Sequence, residues 1–166
     1  PMLKADNATQ AQKIADYAKA SNLVDGFYVS NQMELIQQMK TAYAKLSSLY
    51  ILPDDFTYSK ANIKTLVEDA NKASVRAILV PSNFEEEGIT YLQNHMITVM
   101  TKGETENEIT EGVLHGTTGI YTSDVNLAYT TFNTFKKGTL TRKPNVIGHR
   151  GMLSSTTVEN TLPAFK

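Results

Sequence analysis

The sequence predicts a parallel α/β fold in which short apolar strands alternate with amphipathic helices. Apolar runs recur along the chain, two of them end at a proline (Pro53 and Pro81), and segments with helical spacing separate them. Strands that alternate with helices form parallel βαβ units, and strands that are apolar throughout are typical of a sheet covered on both faces. A doubly wound sheet and part of a (β/α) TIM barrel both satisfy this pattern.

The predicted strands cover residues 24–29, 49–52, 76–80, 96–100, 119–122 and 145–148. Each predicted helix begins at a polar residue whose side chain can cap it. These residues are Asp6 or Asn7, Asn31, Ser59, Asn83, Thr105 and Asp124. The second predicted helix continues through Tyr43 to Leu46. No Gly-x-Gly-x-x-Gly follows a strand, which argues against a dinucleotide-binding unit.

Composition narrows the class of protein. The chain has 166 residues, a net charge of -1 and 41% hydrophobic residues, which suits one domain with a sizeable core. Near-neutral charge argues against nucleic acid as a partner, and the apolar runs are too short to span a membrane. The absence of cysteine excludes disulfides and thiol catalysis. It leans towards an extracytoplasmic or membrane-associated location, with a cytoplasmic one as the alternative.

The clearest chemical signal lies near the end of the sequence. The predicted strand 145–148 delivers His149 and Arg150 side by side at its carboxyl end. Arginine offers a planar fork of donors to a phosphate, and histidine gives or takes a proton near neutral pH. Glu159 and Asn160 follow at a predicted helix start. The alternative is a purely structural role, in which the strand-end histidine is hydrogen-bonded to the backbone and the arginine lies on the surface.

The order His-Arg-Gly at 149–151, Glu-Asn-Thr at 159–161 and Ala-Phe at 164–165 resembles the opening motif of the glycerophosphodiester phosphodiesterase family. Residues 96–124 look like the last two strands of the same barrel family. Met100 stands where that family usually has tryptophan, and Thr118 where it often has aspartate. These departures imply that substrate contacts have been lost there.

The resemblance implies specific roles. His149 and Arg150 would be catalytic, with His149 as general acid or base and Arg150 binding the substrate phosphate. Glu159, supported by Asn160, would be a ligand of a divalent cation, Mg²⁺ or Ca²⁺, which prefers oxygen donors. The implied reaction is hydrolysis of a glycerophosphodiester to glycerol 3-phosphate and an alcohol.

These resemblances predict a partial TIM barrel of the PLC-like phosphodiesterase type. Residues 1–135 would be the degenerate C-terminal part of such a barrel, 136–144 a linker, and 145–166 the first strand and helix start of a catalytic domain. A rival arrangement places the 145–148 strand beside the 119–122 strand in one sheet.

The family's metal-binding Glu-x-Asp and second His-Asp do not occur in this sequence. We therefore expect an enzyme fragment that is inactive in isolation and binds no metal by itself. The alternative is a non-catalytic, barrel-derived module for binding or assembly. Because the readable strands are fewer than the eight of a closed barrel, we also expect self-association through the open sheet.

Other polar residues have simpler interpretations. His95 and His115 lack a partner at ligand spacing, so structural histidines with satisfied hydrogen bonds are expected. Asp54 and Asp55 follow a strand but are typical of turn chemistry after Pro53. Lys102 can meet an anionic ligand, although a solvated loop is the default.

Overall fold

The computed structural model describes residues 1–138, and their strands form one parallel sheet of six. The strands are β1 (Met2–Lys4), β2 (Phe27–Ser30), β3 (Ser47–Ile51), β4 (Ala77–Val80), β5 (Thr98–Lys102) and β6 (Gly119–Tyr121). Their spatial order is the order of the chain, β1 to β6, and each neighbouring pair is parallel. Right-handed crossovers in one direction carry all helices to the same side of the sheet. A doubly wound sheet would reverse the order partway, so the fold is a partial (β/α) barrel, as predicted.

Six helices cover the outer side of the sheet. They are α1 (Ala8–Ala20), α2 (Met33–Ala42), α3 (Lys60–Lys72), α4 (Glu86–Asn94), α5 (Glu106–Leu114) and α6 (Val125–Lys136). Within residues 1–138, none of them combines the length and apolar character needed to cross a bilayer.

Four of the predicted helix caps are confirmed. Asn7, Ser59, Thr105 and Asp124 each accept a hydrogen bond from the backbone N–H three residues ahead. Such a cap satisfies one of the free N–H groups of the first turn. The other two predictions were wrong: α2 starts after Gln32 and α4 after Glu85, and neither start has a side-chain cap.

The strand boundaries differ from prediction for local reasons. The fifth strand starts at Thr98 because Met96 adopts a positive φ of 62° and the Ile97 N–H bonds back to the Leu92 carbonyl, which ends α4. The second helix stops at Ala42, so Leu46 is buried from the following loop. β1 was missed altogether, since three residues carry no readable period and are defined by pairing with β2.

The core lies on both faces of the sheet. Strand residues that point outward, such as Tyr28, Ile78 and Val99, are buried against the helices. The ladder register places Val29 beside Leu49 and Leu49 beside Ala77, and these residues are buried on the inner face. Burial on both faces explains why the strands have continuous rather than alternating apolar sequences.

The helices pack chiefly in pairs, α1 with α2, α3 with α4, and α5 with α6. α5 approaches β5 closely at Gly112. A Cβ added at Gly112 of α5 would lie 2.1 Å from Cγ2 of Thr101. The helix can therefore lie this close only because Gly112 has no side chain.

We predict that Gly112→Ala destabilises the fold by about 1–3 kcal/mol, the usual result of overpacking. A loss of stability would be informative, because in a helix without such a contact alanine is more stabilising than glycine by roughly 0.5–1 kcal/mol. Gly119→Ala is the control, since its Cβ would lie 3.5 Å from Cε of Met100. Urea unfolding measures both variants, and an unchanged midpoint for Gly112→Ala would contradict the close approach.

Candidate functional site

The residues predicted to do chemistry lie outside the described part of the chain. His149, Arg150, Glu159 and Asn160 all follow residue 138, as do the predicted strand 145–148 and its rival placement beside β6. Their roles stay predictions. The structure describes the carboxyl ends of six barrel strands, and this is the face where (β/α) barrels carry their active sites.

An ion pair crosses this face from the turn after β3 to the end of β5. The Nζ of Lys102 lies 3.6 Å from Oδ1 of Asp54, with β4 between the two strands. Asp54 and Asp55 form a turn closed by the Phe56 N–H on the Pro53 carbonyl, as the sequence predicted. Lys102 is the last residue of β5 rather than part of a solvated loop. Since the Asp54 side chain is 91% exposed, the pair adds little stability.

A second ion pair lies at the end of β1. Lys4 is paired in register with Val29, whose side chain is on the inner face, and its Nζ is 3.0 Å from Oδ1 of Asp6. Sequence reasoning missed Lys4 because it missed β1. No local signal marks it, because the three residues of β1 carry no readable period.

A carboxylate joins the ends of the last two described strands. Glu104, just after β5, accepts hydrogen bonds from the Ser123 N–H at 3.1 and 3.2 Å and from the Ser123 hydroxyl. Ser123 precedes α6, and loops after the last barrel strands are frequent phosphate sites. In this chain the Glu104 carboxylate occupies both donors of Ser123, the backbone N–H and the hydroxyl. The contact spans nineteen residues of sequence, so no local spacing could have predicted it.

The two departures from the family pattern fall at different places. Met100 is on the inner face of β5, half-buried and beside Gly119 in register. Thr118 precedes β6, and its N–H donates to the Val99 carbonyl at 2.7 Å. Thr118 is therefore at the amino end of its strand, away from the carboxyl-end face, and the loss of a substrate contact there stays a prediction.

The two described histidines lie at helix ends. His95 ends α4, with Nδ1 2.7 Å from the Tyr91 carbonyl oxygen and its ring against that of Tyr91. His115 ends α5, and its Nδ1 is buried without a hydrogen-bond partner among residues 1–138. The expectation of a satisfied histidine is thus confirmed for His95 and wrong for His115. No group of three or more His, Cys, Asp or Glu residues in this part of the chain is placed to hold a metal ion.

A capping box fixes the loop between β5 and α5. The Thr105 hydroxyl accepts from the Glu108 N–H, and the Glu108 carboxylate accepts from the N–H groups of Glu104 and Thr105 at 2.8 and 3.0 Å. The hydrogen bond from the Glu104 N–H is the main reason why the pKa of Glu108 lies below its ordinary value of 4.5. The box holds Glu104 where it can reach Ser123.

We predict that Glu108→Gln makes unfolding less dependent on pH in acid. A carboxyl group whose pKa is lowered by folding stabilises the native state above its unfolded pKa, and this contribution is lost as pH falls through the folded value. The wild type should therefore lose more of its urea midpoint below pH 4.5 than the variant does. Equal losses in both proteins would contradict the assigned role, and Glu68→Gln on the exposed face of α3 is the control.

Comparison with known proteins places this geometry among (β/α) barrels. No protein-family model and no curated protein matches the chain. A solved protein from Silicibacter pomeroyi assigned to the glycerophosphoryl diester phosphodiesterases has a TM-score of 0.64 at 14% identity, covering 86% of this chain and 51% of its own. The glycerophosphodiester phosphodiesterase of Agrobacterium tumefaciens has a TM-score of 0.57 at 14% identity, covering 80% and 54%.

The chain shares their fold. It spans about half the length of these two structures, 51% and 54%. A type I 3-dehydroquinate dehydratase from Clostridium difficile also matches, with a TM-score of 0.57 at 13% identity over 85% of this chain and 70% of its own. The likeness therefore establishes the barrel architecture, with diester phosphodiesterases first among the neighbours.

Proposed function

We propose that this chain is part of a metal-dependent glycerophosphodiester phosphodiesterase. One coincidence carries the proposal: the fold of residues 1–138 is shared with solved diester phosphodiesterases, while the His-Arg-Gly and Glu-Asn-Thr motif lies in residues 149–161. Two separate parts of the chain thus point to the same class of enzyme.

In the proposed reaction the oxygen of a water forms a bond to phosphorus and the bond from phosphorus to the alcohol oxygen breaks. The alcohol leaves with a proton, and glycerol 3-phosphate remains. His149 would give or take the proton, and Arg150 would hold the non-bridging oxygens with its guanidinium fork. Each role is proposed from the residue type and its place in the motif.

The donors near the motif suit a hard cation. A carboxylate at Glu159 and an amide oxygen at Asn160 are ligand types that Mg²⁺ and Ca²⁺ accept, and a bound cation would polarise a phosphoryl oxygen. One carboxylate is too few for firm binding, since Ca²⁺ takes six to eight oxygen ligands. We therefore propose that the 166-residue chain needs further ligands before it holds the ion.

We predict little or no turnover of glycerophosphocholine by the isolated chain with millimolar Mg²⁺ or Ca²⁺. The motif supplies one histidine and one carboxylate, and the lysines on the described barrel face are paired with Asp6 and Asp54. The measurement is release of glycerol 3-phosphate, with His149→Ala as the control for contaminating activity. Robust turnover that His149→Ala abolishes would contradict the prediction and establish a sufficient site.

A second candidate is a non-catalytic module for assembly. The observation in its favour is an apolar stripe on the outer surface of α6, formed by Val125, Tyr129 and Phe132, which are 74%, 68% and 41% exposed. Their spacing places them on one face of the helix. Large exposed apolar patches mark interaction sites, and strands at the edge of a sheet offer unpaired backbone groups.

We predict that the chain self-associates at micromolar concentration, most simply as a two-fold dimer. Tyr129→Glu should shift the equilibrium towards monomer, because it places a charge in the stripe. Tyr17→Glu is the matched control, since Tyr17 is 59% exposed on α1, outside the stripe. Light scattering distinguishes the outcomes, and a monomeric wild type with a cooperative melt would favour a self-sufficient sheet.

A further inference from the structure

A groove separates two of the helix pairs on the outer side of the sheet. α2 packs with α1 and α3 packs with α4, which leaves a space of about 760 Å³ between α2 and α3. Its apolar lining comes from Met33, Tyr50, Phe56 and Leu66. Tyr50 is an outward-facing residue of β3, and Phe56 is held by its ring contact with Phe84. The groove is thus open, partly aromatic and separate from the inner face of the barrel.

Carboxylates from three different segments line this groove. Glu34 comes from α2, Asp55 from the turn after β3, and Asp69 from α3. Burial, followed by these three charges, raises the pKa of the Tyr50 phenol. Lys72 is a lining cation, and its Nζ is 3.2 Å from Oδ1 of Asp69. Among residues 1–138, Glu34 and Asp55 form no ion pair, so the groove carries uncompensated negative charge over an apolar floor.

We propose that this groove docks a basic segment of a partner polypeptide, with lysine or arginine side chains against Glu34 and Asp55 and an apolar side chain on Tyr50 and Phe56. Charge complementarity and the apolar floor select this occupant. A lone exposed ion pair or cation–π contact contributes little to binding, because water and salt screen it. A segment that lies along the groove combines several such contacts with apolar burial, as in other peptide-recognition grooves.

The test uses the full chain and three synthetic peptides followed by fluorescence anisotropy. The probe is fluorescein-labelled Lys-Leu-Arg-Phe-Lys-Leu. One comparison peptide replaces its basic residues with glutamine, and the other replaces its apolar residues with glycine. The probe should bind more tightly than either comparison peptide, because both its basic and its apolar side chains contact the groove. Equal binding of the glycine peptide would mean unspecific charge attraction and would overturn the proposal.

Matched variants locate the binding. The double variant Glu34→Gln with Asp55→Asn should weaken probe binding at least ~10-fold, which corresponds to about 1.4 kcal/mol. Glu68→Gln with Asp25→Asn removes the same charge at two exposed positions that do not line the groove, and should leave affinity within about 2-fold. Circular dichroism melts check that both proteins fold.

Other outcomes are equally decisive. Similar losses in the two double variants, or no binding of the probe at millimolar concentration, would overturn the proposal. Spermidine is the small-cation competitor. If it displaces the probe at micromolar concentration and binds the groove as tightly, the site is one for small organic cations rather than for a partner polypeptide.

Discussion

Within residues 1–138 each strand pairs in parallel with the next strand in the sequence, and the rest of the described structure depends on that constraint. With every crossover in the same direction, all six helices must lie on one side, and the sheet must curl with its other side inward. The inner face then needs its own apolar residues, which Val29, Leu49, Ala77 and Leu79 provide. The parallel strand order also determines where an active site can lie, because the carboxyl ends of all six described strands meet on one face.

On that face several of the described polar groups are paired with one another. Lys102 is paired with Asp54, Lys4 with Asp6, and the Ser123 donors with Glu104. These cations and donors would have to leave their present partners to bind a ligand. This pairing is compatible with either proposed function, since the motif residues at 149–160 are what would supply phosphate chemistry.

The features that could be predicted from the sequence are those determined by neighbouring residues. The caps at Ser59, Thr105 and Asp124 are encoded within one helical turn, so residue type and spacing reveal them. β1 could not be found, because a three-residue strand exists only through its bonds to β2. The contact between Glu104 and Ser123 was equally hidden, because it joins the loops that follow two neighbouring strands. The motif around His149 was recognised from residue order alone, and it lies outside the described residues.

The sequential order of the strands also bears on synthesis at the ribosome. Met2 pairs with Phe27, Leu49 with Ala77, and Met100 with Gly119, so each partner is already made when a new strand emerges. The sheet can grow by one strand and one helix at a time, without waiting for a distant segment. Contacts of modest sequence separation favour fast folding, and proteins generally fold from the N-terminal part first during translation. The nascent chain would then expose one fresh edge at each stage, always the strand most recently added.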